Sequence, residues 1–147
     1  MILGGFLGTP SLYRGMQDRL GILTSGAIHV VPVGLRHWAA TTRAAGWLAI
    51  LLRLDRTVAL ALEEGPADAV TLVGHSSGGV MGRLYLSPEP FEGHRFAGLE
   101  KVRHLITLGS PHHNVRGARL RRWVDRTLPG AHFAPGVAYT TAAGRAR

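Results

Sequence analysis

Val70-Thr71-Leu72-Val73-Gly74-His75-Ser76-Ser77-Gly78-Gly79-Val80 is the stretch whose reading decides the fold. Thr71, Leu72 and Val73 form a β-branched and aliphatic run, while Val80, Met81, Leu84 and Tyr85 recur at helical spacing after two glycines. A buried strand, a tight turn and a helix follow one another within sixteen residues. Gly74-His75-Ser76-Ser77-Gly78 has the Gly-x-Ser-x-Gly spacing of a nucleophile elbow. A serine on so sharp a turn leaves little room for neighbouring side chains, so Gly74 at −2 and Gly78 at +2 are the residues such a turn needs. The hydroxyl then stands above the carboxyl end of the sheet, and the following helix directs its first N–H groups towards the same place. The alternative is a Gly/Ser loop that only joins a strand to a helix.

Outward from this stretch, strand-like and helix-like segments alternate. On the N-terminal side, residues 55–64 read as a helix, the second of two pieces into which Gly46 and the capping candidate Asp55 divide residues 36–64. Residues 28–33 read as a buried strand, and residues 13–23 as a helix with Leu12, Met16, Leu20 and Leu23 on one face. Trp38 and Trp47 suit either the core or an acyl pocket. On the C-terminal side, a helix from Ser77 to about Leu86 stops at Ser87-Pro88-Glu89-Pro90, and residues 102–108 and 136–142 read as strands. This alternation predicts an α/β fold with a mostly parallel sheet and helices on both faces.

Composition narrows the function. At 147 residues the chain is one domain's worth, and its 20 glycines and 8 prolines are dispersed as turn punctuation. Without cysteine it has no disulfide, thiolate nucleophile or thiolate metal site. Arg36, Arg43, Arg53 and Arg56 interrupt the most apolar region, so no run of about 18 apolar residues forms a membrane span. Met1-Ile2-Leu3 leads directly into Gly4-Gly5, unlike an export signal, and the expected location is cytoplasmic. The net charge of +8 comes without a nucleic-acid-binding motif, which favours an arginine-dressed surface over a nucleic-acid partner. Arg116, Arg119, Arg121, Arg122 and Arg126 alternate with Leu120, Trp123, Val124 and Leu128 in an amphipathic segment at 114–130. Such a segment suits peripheral contact with a lipid surface, and an ordinary surface helix explains the same pattern.

Four pieces together carry a family resemblance: Ile2-Leu3-Gly4-Gly5-Phe6-Leu7-Gly8, Val73-Gly74-His75-Ser76-Ser77-Gly78-Gly79, Leu105-Ile106-Thr107-Leu108-Gly109-Ser110-Pro111-His112, and Pro135-Gly136-Val137-Ala138-Tyr139 before Ala143-Gly144-Arg145. In this order the chain resembles the lipase-like branch of the α/β-hydrolases, similar to those of cyanobacteria and plant plastids. The resemblance implies a carboxylic ester hydrolase with Ser76 as nucleophile and the backbone N–H groups of Phe6 and Ser77 as oxyanion hole. His75 and His112 become candidate pocket-lining residues, and 114–130 occupies the place of a cap or lid. The family has His-Gly or Pro-Gly where this chain has Gly4-Gly5. No metal or organic cofactor is implied, and the substrate would be a small-molecule or lipid ester. An acyltransferase on the same fold and a non-catalytic binding module remain the rival readings.

The resemblance also implies an acid and a histidine after later strands. Beyond residue 142 lie Ala143-Gly144-Arg145-Ala146-Arg147, with neither. The expectation is therefore a partial α/β-hydrolase domain over 1–147, truncated before its triad acid and His and inactive alone. The one late acid-then-His pair, Asp125 and His132, falls within the cap-like segment.

Overall fold

The computed structural model describes residues 1–113, 119–130 and 134–144. Strands β1 (Ile2–Leu3), β2 (Val70–His75), β3 (Val102–Leu108) and β4 (Ala138–Ala142) form one sheet in that order, each neighbouring pair parallel. Parallel neighbours require crossovers, and helices provide them. Between β1 and β2 lie α1 (Arg14–Leu23), α2 (Leu35–Ala39) and α3 (Ala44–Glu64). Then α4 (Ser77–Tyr85) and α5 (Gly98–Lys101) join β2 to β3, and α6 (Arg119–Thr127) lies between β3 and β4. The α/β class expected from the sequence is the class observed.

Residues 28–33 differ from expectation. They contribute a single parallel bridge, Val30 to Ile2, on the side of β1 away from β2. The Ile2 N–H donates to His29 O at 2.8 Å and the Val31 N–H to Ile2 O at 2.9 Å. The ladder ends there because Pro32 has no N–H and the Val33 N–H turns back onto Val31 O at 2.8 Å. From β1, the first strand of the sheet, the chain steps outward to residues 28–33, returns through α3 to β2 and proceeds the other way. In open parallel sheets ligands are held where the strand order reverses, at the carboxyl ends of the strands, here those of β1 and β2.

Helix α3 is one continuous helix of 21 residues, not two. The break falls earlier, at Arg43, whose backbone is extended (φ −123°, ψ 154°). Gly46 sits inside the helix because a β-carbon there would lie 2.1 Å from Ala40 O. Asp55 caps nothing. Its Oδ1 accepts from Tyr85 Oη at 2.7 Å and from Lys101 Nζ at 3.0 Å, which ties α3 to α4 and α5. Burial and that carboxylate hold the Tyr85 phenol well above its ordinary pKa, so it stays a donor.

The two faces of the sheet are covered unequally. Leu72, Leu105 and Thr107 face α4, where Gly82 and Gly79 let the helix sit close. Leu3, Ile50, Leu51, Leu54, Met81 and Leu84 complete the core on that side. On the opposite face, Ile2 and Val73 are buried, and Val73 lines a hollow together with Leu20 of α1. Leu12 and Leu23, expected inside, are exposed, and only Met16, Gln17 and Leu20 of α1 are half-buried. Further along that face, Ile106 and Leu108 are half-buried and Ala138, Thr140 and Ala142 are exposed. No described helix is long and apolar enough to cross a membrane.

Candidate functional site

Ser76 follows β2 and precedes α4 with φ 50° and ψ −121°, a conformation that L-residues with a side chain rarely adopt. Such a backbone costs on the order of 1–3 kcal/mol and persists only where its surroundings hold it. Here the Ser76 N–H donates to Leu108 O at 2.9 Å and Ser76 O accepts from the Gly79 N–H at 3.1 Å. The strand on one side and the helix on the other fix the turn between them.

Each motif glycine answers a separate contact. A β-carbon on Gly74 would lie 2.5 Å from Gly79 Cα, so strand and helix cross backbone to backbone. One on Gly78 would lie 2.2 Å from Leu3 O and 2.6 Å from Gly4 O, so α4 starts directly against β1 and its loop. Gly5 reaches the nucleophile candidate itself, because a β-carbon there would lie 2.9 Å from Ser76 Cβ. The loop after β1 and the turn after β2 therefore meet at the carboxyl ends of their strands.

Among the described residues, neither the Phe6 N–H nor the Ser77 N–H is taken by a backbone carbonyl. Gly5 O accepts the Gly8 N–H at 2.9 Å, and a planar trans peptide then turns the Phe6 N–H the opposite way. Ser77 opens α4, so its amide is one of the unsatisfied donors at the positive end of the helix. The Phe6 ring is 56% exposed and meets buried Trp38 edge-on, with centroids 6.2 Å apart. An apolar wall thus stands beside the loop.

The histidines take other places. Nδ1 of His75 is 2.9 Å from the hydroxyl of Tyr13, a residue 62 positions earlier that no sequence motif marks. Nε2 of His112 is 2.9 Å from Thr107 Oγ1, on the α4 face, and its carbonyl accepts from Arg83 Nη1 at 3.4 Å. Burial, then the Arg83 and Arg121 guanidiniums, push the His112 pKa below its ordinary value. Among the described residues no histidine is bonded to Ser76. His132 lies outside the described residues.

Beneath His112 lies a buried charge cluster that sequence reading missed. Arg83 is fully buried and stands 3.6 Å from Asp125 Oδ1, while Arg121 Nη2 is 3.2 Å from the same oxygen. Helix α6 is docked through this cluster and through Val124, Leu128 and Trp123 packed on Phe91, and residues 114–118 of the cap-like segment lie outside the described residues. A hollow of about 580 Å³ between α3 and α6 is lined by Trp47, Phe91, Leu120 and Trp123. Ser76, Phe6 and Trp38 are not among its walls. No group of three or more described His, Asp or Glu side chains is placed to hold a metal ion. In comparison with known proteins, no family model matches the chain and no curated protein matches it.

Proposed function

We propose that the chain is a serine hydrolase of the α/β-hydrolase type, cleaving carboxylic esters through Ser76. The observation that carries this reading is the strained Ser76 backbone, φ 50°, held at the strand-to-helix turn where the sheet order reverses. Leu7 and Glu92 also have positive φ, but Ser76 adds ψ −121° and a fixed place between β2 and α4, packed against the glycine loop that follows β1.

In the proposed reaction Ser76 Oγ attacks the ester carbonyl carbon while the Phe6 and Ser77 N–H groups receive the developing oxyanion. The carbonyl re-forms, the bond to the alkoxy group breaks, and water then releases the acyl group from the serine. The serine proton must pass to a base and on to the leaving alkoxide. No described histidine is bonded to Ser76, and the reading assigns the base to none of the described residues. The Phe6 ring, set edge-on against Trp38, favours a lipophilic acyl group. Turnover of a short-chain nitrophenyl ester tests the reading: Ser76→Ala must lower the rate by orders of magnitude while the fold persists, and an unchanged rate rejects it.

A further inference from the structure

We propose that Tyr13 is a positioning residue for the oxyanion hole, its hydroxyl holding the Gly4–Gly8 loop against Ser76; this rests on the hydrolase reading above. Tyr13 ends a short 3₁₀ turn, Pro10–Tyr13, and is 5% exposed although every residue of α1 after it is half-buried or exposed. Its ring fills the space beneath the loop. A β-carbon on Gly4 would lie 2.4 Å from Tyr13 Cε2, and one on Gly8 3.1 Å from its Oη. Both glycines leave room for this one side chain.

The hydroxyl makes two bonds that decide the loop's geometry. It accepts the Gly5 N–H at 2.7 Å, in a buried bond, and shares a hydrogen bond with His75 Nδ1 at 2.9 Å. One oxygen therefore joins the loop after β1 to the residue preceding Ser76. With the Gly5 amide committed to Tyr13 and the Gly5 carbonyl to Gly8, both peptide planes flanking Gly5 are fixed. The Phe6 N–H is then the loop donor left to face the reacting carbonyl. Gly5 N–H cannot serve in its place. An oxyanion donor displaced by about 1 Å forfeits on the order of 10²-fold in rate, so the anchor matters in proportion.

Two measurements on the 147-residue chain and its Tyr13→Phe variant test this. Phenylalanine keeps the ring beneath Gly4 and Gly8 and removes the hydroxyl alone. In the wild type, hydrogen exchange read by NMR should show the Gly5 amide protected, and Tyr13→Phe should speed its exchange at least tenfold. Labelling of Ser76 by a fluorophosphonate should then lose about tenfold to a hundredfold in its maximal rate, with half-saturation unchanged. A Gly5 amide that is unprotected in the wild type overturns the proposal whatever the variant does. So does a variant with faster Gly5 exchange and undiminished labelling, because the hydroxyl would then be structural only. Absence of any Ser76 labelling in the wild type rejects the hydrolase reading instead, and with it a catalytic role for the anchor.

Discussion

Gly78 stands so close to Leu3 that a β-carbon on it would lie 2.2 Å from the Leu3 carbonyl oxygen. The sequence marks Gly78 as the +2 glycine of a tight turn, but the atoms that exclude a side chain belong to β1, 75 positions earlier. Backbone cannot swing aside as a flexible side chain does. Gly78→Ala should therefore lower the melting temperature markedly, and Gly78→Val should prevent cooperative folding. A Gly78→Val chain that melts like the wild type would mean that β1 and α4 do not meet as described.

Asp125 serves two buried guanidiniums, those of Arg83 and Arg121. Removing its charge leaves uncompensated buried cations, which typically costs about 3–5 kcal/mol. Asp125→Asn should lose stability on that order in urea unfolding, and Arg83→Met should lose less because it removes a charge that needs pairing. Equal stability of Asp125→Asn and wild type would contradict the cluster.

His112 gives a pH signature. Its pKa is lowered in the fold, chiefly by burial and then by Arg83 and Arg121. Below the ordinary imidazole value of about 6.5 the unfolded chain binds a proton that the native chain resists. Stability is therefore fully present above that value and falls as pH drops below it. His112→Gln keeps a partner for Thr107 and removes this titration, so its stability should decline less than that of the wild type between pH 6.5 and 5. Other titrating groups are common to both proteins and cancel in the difference. Parallel curves would place His112 in solvent.

The parts of the fold legible in the sequence are those written in local pattern. The β2–turn–α4 unit, the β3 span 102–108 and the α/β class all follow from apolar period and glycine spacing. What the pattern could not show is set by contacts distant in sequence. Residues 28–33 have the apolar content of a strand, yet a two-residue β1 and the missing N–H of Pro32 allow them one bridge. Gly46 resembles a helix break, but it is a close-approach position against Ala40 inside a continuous helix. In the candidate site, Ser76, Gly74 and Gly78 announce themselves by spacing. Tyr13 does not, since nothing near it in the chain signals a bond to Gly5 or His75. Arg83 was likewise hidden, because an arginine in a helix reads as a solvated residue until its burial is known, and Asp125, which the sequence offers as a late acid before His132, is paired with Arg83 and Arg121.

The central claim is that Ser76 is the nucleophile, and the most direct measurement is mass spectrometry of the 147-residue chain after exposure to a fluorophosphonate. The account predicts slow modification confined to Ser76, ahead of Ser11, Ser25, Ser77, Ser87 and Ser110, and abolished in a folded Ser76→Ala variant. Modification spread evenly over the serines, or absent from Ser76 while the chain is folded, would contradict it.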